Sequence, residues 1–226
     1  MLTIGVLSGC DRTIDGTAAW TGGTGGTGGT VAPPTTGSSA TQQPPTAAGP
    51  VPGIEETVPD QIPPNAFVCF PEPGGIGIGT VAQVADSTAP RITVMVPDGW
   101  TSEPGQGDTA LTLNGPDGMS GSVTIAATLL DPAGAFADYA ATLERSKPGL
   151  QIVDTTGAKF CGYSSQKLIG TFPAPSGTQH FADRLAHIWT NTRKYLVSID
   201  MEGPAVTPGY QAAKTALMQD FAVVIP

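Results

Sequence analysis

The chain is poor in the side chains from which catalytic centres are built. It has two histidines, three cysteines and 13% charged residues, so general-base chemistry near neutral pH has only His180 and His187 to draw on. His187 lies between Ala186 and Ile188 in an apolar run, where packing with one hydrogen bond is the simpler role, and His180 sits at a loop edge. Ser164 and Ser165 follow Gly162 and Tyr163 without the G-x-S-x-G spacing of a nucleophile elbow. No C-x₂-C pair marks a zinc site. The run Gly75-Ile76-Gly77-Ile78-Gly79 has Pro71 and Pro73 before it and no helical pattern after it, so it lacks the strand-to-helix context of a phosphate loop. Asp183, Asp200 and Glu202 lie close along the sequence of the last hairpin, with no second acid across a cleft to make a glycosidase pair; a weak cation site is the most they offer. These absences predict a chain with no enzymatic activity, no cofactor and no metal centre.

Two further absences bear on partners. No stretch approaches the roughly 20 apolar residues of a membrane-spanning helix. Lysine and arginine number 10 against 19 acidic residues, a net charge of −9, and no basic stripe offsets it, which argues against nucleic acid as a partner. The same balance gives little attraction for anionic lipid headgroups.

What is present begins at the amino terminus. Leu7-Ser8-Gly9-Cys10 closes a short apolar segment and resembles a bacterial lipobox, in which the cysteine sulfur takes a diacylglycerol and the preceding peptide is removed. Lys and Arg are missing before Arg12, whereas a secretory signal opens on a basic region; a translation start placed too far downstream accounts for this. Residues 11–60 are dominated by Thr, Gly, Pro, Ala and Ser, with threonine at every third position of 21–30. Such a segment buries too little apolar surface to offset its ordering entropy and reads as a disordered tether of about 40 Å, with threonines that could accept sugars. The expected organisation is therefore a signal segment over 1–10, a linker over 11–60 and one globular domain over 61–226. With Cys10 assigned to lipid, Cys69 and Cys161 remain, and an even pair in an exported chain reads as a disulfide.

Within the domain, β-rich runs over 92–96, 109–113 and 122–130, separated by Pro-Asp-Gly and Asn-Gly-Pro-Asp-Gly turns, read as an antiparallel meander. Asp131-Pro132 opens a helix as N-cap and first-turn proline, and Phe136, Tyr139, Ala140 and Leu143 make one apolar stripe of it. Strands follow over 150–155, 161–172, 181–191 and 194–201, the last two joined by a tight turn at Thr192 and Arg193. Thr207-Pro208 opens a second helix by the same device, running to about 220, and 222–225 closes the chain as a short strand. Strands, helix, strands, helix, strand describe an α+β domain, an antiparallel sheet covered by helices.

Several of these segments are similar to those of the mycobacterial LpqN/LpqT lipoprotein family, which is related in fold to PsbP, the extrinsic subunit of photosystem II. They are Val96-Pro97-Asp98-Gly99-Trp100, Asp131-Pro132-Ala133, Pro148-Gly149, Gly162-Tyr163 leading to Gln166-Lys167-Leu168-Ile169-Gly170, and Tyr195-Leu196-Val197-Ser198-Ile199. The resemblance spans about residues 90–226. It implies a PsbP-like α/β/α sandwich behind a lipid anchor and a linker, without enzymatic activity. Cys69, Cys161 and the glycine-rich 74–79 depart from the family pattern. The functional expectation is a lipid-anchored, non-catalytic adaptor on the outer face of the cell membrane, partnered by an envelope protein. The alternative is a carrier that holds a lipid or glycolipid between sheet and helix.

Overall fold

Eleven strands and two α-helices form two packed sheets in the computed structural model, which describes residues 50–55, 61–71, 77–204 and 206–226. In chain order the elements are β1 (Phe67–Cys69), β2 (Ile78–Ala82), β3 (Arg91–Val96), β4 (Thr101–Pro104), β5 (Thr109–Asn114), β6 (Ser120–Thr128), α1 (Pro132–Ser146), β7 (Gln151–Gly157), β8 (Ser164–Ala174), β9 (Gly177–Trp189), β10 (Lys194–Pro204), α2 (Tyr210–Leu217) and β11 (Ala222–Val224). The large sheet has seven strands in the order β4-β5-β6-β10-β9-β8-β7, and the small one has four in the order β1-β11-β3-β2. The pairings are antiparallel in both. This is the α+β class expected, with one correction: 92–96 joins the small sheet and pairs with β2 and β11, so the meander is β4-β5-β6 instead.

Alternation along β9 and β10 gives the large sheet two different faces. One carries Ala182, Ala186 and Ile188 of β9 with Tyr195, Val197, Ile199 and Met201 of β10, each 1% exposed or less. The small sheet, α2 and the connection after it cover it, contributing Ile92, Val94, Val223, Ala213, Leu217 and Phe221 to one continuous core. The other face carries a smaller cluster, Phe136 of α1 with Leu168, Phe181 and Leu185, edged by Tyr139, Ala140 and Leu143. Trp100 follows a turn in which its N–H bonds to the Pro97 carbonyl at 3.1 Å, and it packs against the main core. Its ring lies over Gly115, where a Cβ would come within 2.4 Å of it.

The two helices start differently. Asp131 accepts a hydrogen bond from the Gly134 N–H at 2.7 Å, with Pro132 at the first helical position, as the sequence predicts. For α2 the predicted Thr207-Pro208 start gives way to a turn in which Thr207 N–H bonds to Pro204 O and Tyr210 N–H to Thr207 O. The helix begins only at Tyr210, after Gly209 at φ 82°. Contacts also begin ahead of the expected domain start at 61: Ser165 N–H bonds to Gly53 O at 2.8 Å, and Gln166 donates to Pro52 O at 3.2 Å. Among the described residues, no helix is long and apolar enough to cross a membrane.

Candidate functional site

The ionisable residues of the last hairpin meet beneath α1. Strand pairing sets Asp200 opposite Asp183, with Glu202 opposite Phe181 and Ser198 opposite Leu185, so both aspartates point from the same face of the sheet. Asp183 is 1% exposed. Tyr139 of α1 donates its hydroxyl to Asp183 Oδ2 at 3.0 Å. On β6, Ser122 donates its N–H to Asp200 Oδ2 at 3.1 Å and its hydroxyl to Oδ1 at 2.5 Å. Lys147, which caps the end of α1, pairs with Glu202 and sits 4.2 Å over the Phe172 ring.

Burial is the main cause that pushes Asp183 up to about 8, and the neighbouring Asp200 adds to it. Asp200 is raised as well, by burial first, against the opposing hydrogen bonds from Ser122. Two neighbouring, desolvated carboxyls do not both ionise readily near neutral pH, and they titrate as a coupled pair. Tyr139 is also raised, by burial and then by the Asp183 charge, which keeps its hydroxyl a donor. The sequence placed these acids near one another; the structure brings them together and buries Asp183 under a helix, leaving Asp200 and Glu202 partly exposed. The arrangement can store a proton and pin α1, and it presents no nucleophile. Among the described residues no group of three or more His, Cys, Asp or Glu is placed to hold a metal ion.

The remaining candidates are engaged in main-chain hydrogen bonds or ring packing. His187 Nε2 donates to Leu130 O at 3.1 Å, and burial lowers its pKa. His180 meets Tyr210 edge-on at 5.7 Å. Ser165 donates to Leu185 O at 2.6 Å, while Ser164 donates to Glu55 O at 3.1 Å and accepts from Glu55 N–H at 2.8 Å. Each serine hydroxyl is thus committed to backbone. The glycine run leads through Gly77 into β2, and its first members lie outside the described residues.

Cys69 and Cys161 are bonded, with Cα atoms 5.6 Å apart, joining β1 to the segment before β8. Cys10 and, of the segment 11–60 expected as a linker, residues 11–49 and 56–60 lie outside the described residues. The layer between α1 and the sheet, the place expected for a carried lipid, is filled by Phe136, Leu168, Phe181 and Leu185.

One buried charge escaped the sequence reading. Arg184 is 2% exposed on the apolar face, bonded to Asp220 Oδ1 at 2.7 Å, with its guanidinium 5.5 Å from the Phe160 ring centre. Burial lowers its pKa, opposed by Asp220. The signal was available: Asp183-Arg184 are two charges inside the run Phe181-Ala182-Asp183-Arg184-Leu185-Ala186, so one must enter each face of a strand covered on both sides.

No family model matches the chain, and no curated protein matches it in sequence. Among solved structures, the domain is similar to LpqN of Mycobacterium tuberculosis, described as involved in cell envelope biogenesis. The identity is 16% and the TM-score 0.51, over 65% of this chain and 91% of that one. The cyanobacterial PsbP of Synechocystis sp. PCC 6803 aligns at 15% identity and a TM-score of 0.41, over 65% of this chain and 92% of that one. A Pseudomonas aeruginosa protein of unknown function aligns at 14% and 0.38, over 62% and 92%. The described domain has an LpqN-like fold.

Proposed function

We propose that this chain is an exported, lipid-anchored accessory protein of the cell envelope that works by contact rather than by catalysis. The observation that carries the reading is how the cysteines are used. Of three cysteines two are bonded to each other, and the third, Cys10, ends Leu7-Ser8-Gly9-Cys10. A disulfide of this kind belongs to an oxidising compartment, which is where a lipobox cysteine is delivered. LpqN, whose fold is similar, is described as involved in cell envelope biogenesis, and both carboxyls of the acid pair are engaged by hydrogen bonds within the fold. Residues 11–49 then serve as the tether. A domain held by about 35 Å of flexible chain meets membrane partners at a raised effective concentration.

The test is Cys10→Ser in the full-length precursor. The variant is expected to leave the membrane fraction while the Cys69–Cys161 bond still forms. A product that stays membrane-bound after a high-salt wash overturns the anchor.

A further inference from the structure

One end of the large sheet carries a feature that neither anchor nor core explains. Where β6 passes into α1, a hollow of about 550 Å³ is lined by Ala127, Thr128 and Leu129 on one side and by Trp189, Thr192, Arg193 and Lys194 on the other. Strand pairing places Trp189 and Thr128 on either side of Lys194. Leu129 is fully exposed and Leu130 is 44% exposed. Their backbone is nevertheless held. Leu130 N–H bonds to Thr128 Oγ1 at 3.1 Å, Leu130 O accepts from His187 at 3.1 Å, and Asp131 caps α1. A pinned turn that presents two leucines beside a half-buried tryptophan leaves apolar surface in water with no internal gain.

The charge of the lining is opposite to that of the chain. Arg193 and Lys194 line the hollow and no carboxylate does, in a chain of net charge −9. Asp86 lies 3.6 Å from Arg193, but it already accepts from Thr88 N–H, Thr88 Oγ1 and the Tyr195 hydroxyl. The pair engages one guanidinium nitrogen, and the remaining donors of a side chain that is 61% exposed can face a ligand. A volume within the roughly 300–1,000 Å³ of small-molecule sites, an aromatic wall and two cations in the lining suit an anion joined to an apolar chain or ring. The concavity favours enclosing a monomer over resting on a lipid plane.

We propose that this hollow is a binding site for a monomeric amphiphilic anion, with Arg193 and Lys194 taking the carboxylate or phosphate and Trp189, Leu129 and Ala127 taking the apolar part. The site is independent of the anchor, so it is tested in the full chain carrying Cys10→Ser. Calorimetry is run with dodecyl phosphate below its micellar concentration, with dodecyltrimethylammonium, and with vesicles containing phosphatidylglycerol. One dodecyl phosphate is expected to bind per chain, with little binding of the cation or the vesicles. Affinity should fall about tenfold in Arg193→Gln/Lys194→Gln, the scale of one charge-assisted hydrogen bond. It should fall several-fold in Leu129→Ser, a fully exposed position whose replacement leaves the fold alone. Equal binding of the cation, unchanged affinity in both variants, or binding to vesicles without binding of the monomer overturns the proposal.

Discussion

Asp183 and Arg184 are consecutive residues of β9, both buried and of opposite charge, and the two faces of the sheet deal with them in different ways. On the face under α1, Asp183 meets another carboxyl and the hydroxyl of Tyr139, and the charge is removed by keeping a proton. On the face under the small sheet and α2, Arg184 keeps its charge and meets Asp220, which is 47% exposed, at the rim of the core. A buried acid can be made neutral at ordinary pH. A buried guanidinium cannot, so it must reach a partner. The contrast makes the helix-covered face sensitive to pH and the core face sensitive to the loss of one surface residue.

The largest effect should come from that surface residue. Asp220→Ala leaves Arg184 buried without its counter-charge and is expected to cost about 3 kcal/mol, the low end for an orphaned buried ion because water reaches the pair from the exposed aspartate. Urea unfolding at pH 7 measures it, and a loss below about 0.5 kcal/mol, the scale of an ordinary surface change, would merge the two faces into one behaviour.

Asp183→Asn should act in the opposite direction. The folded-state value of Asp183 lies near 8 against an ordinary 3.8, so between about pH 4 and pH 8 the folded chain holds a proton that the unfolded chain has released. This carboxyl therefore subtracts stability as pH rises through that window, and the subtraction is complete above the folded value. Asparagine is neutral throughout, accepts from Tyr139 and can donate to Asp200. The variant is expected to be more stable than the parent by about 1–3 kcal/mol at pH 8, the range of hydrogen bonds to charged groups, and indistinguishable from it near pH 4. Thermal unfolding across that range decides it; a parent-like pH profile in the variant would mean that Asp183 is not the titrating group.

The smallest change, Tyr139→Phe, removes only the donor from α1 and is expected to cost about 0.5–1.5 kcal/mol. Its signature is regional. Hydrogen exchange should quicken in α1, which rests on the smaller apolar cluster, and stay unchanged in β9 and β10.

Local chemistry made α1 readable to its first residue, because Asp131, Pro132 and the stripe from Phe136 to Leu143 each act within a turn or two of themselves. The start of α2 was obscured because Thr207 and Pro208 serve a turn just as well as a helix entry, and the choice falls to Gly209, which accepts a left-handed backbone. A β-rich run closed by a turn identified 92–96 as a strand but holds no information about its neighbours, which are β2 and the distant β11. The acid pair depended on register. A turn at Thr192 and Arg193 would set Asp183 opposite Glu202. The observed turn closes one residue earlier, with Thr190 N–H on Arg193 O and Asn191 at φ 68°, and sets Asp183 opposite Asp200. Shifting the pairing by two residues preserves which face each side chain takes and changes only its partner. The faces were therefore legible while the site was not.

The small sheet imposes an order on assembly. Its first strand pairs with its last, Phe67 against Val224 and Cys69 against Val223, and Asn65 and Ala66 bond to Ile225 just beyond. A chain delivered from its amino end has therefore made and released nearly every residue of the domain before β1 finds a neighbour. Contacts this distant in sequence form late, so β1 with its unpaired edge stays open to other binding partners until then. An escort that shields extended chain would have most to do at this strand, and a bulky extension fused behind Pro226 would obstruct the step that completes the sheet.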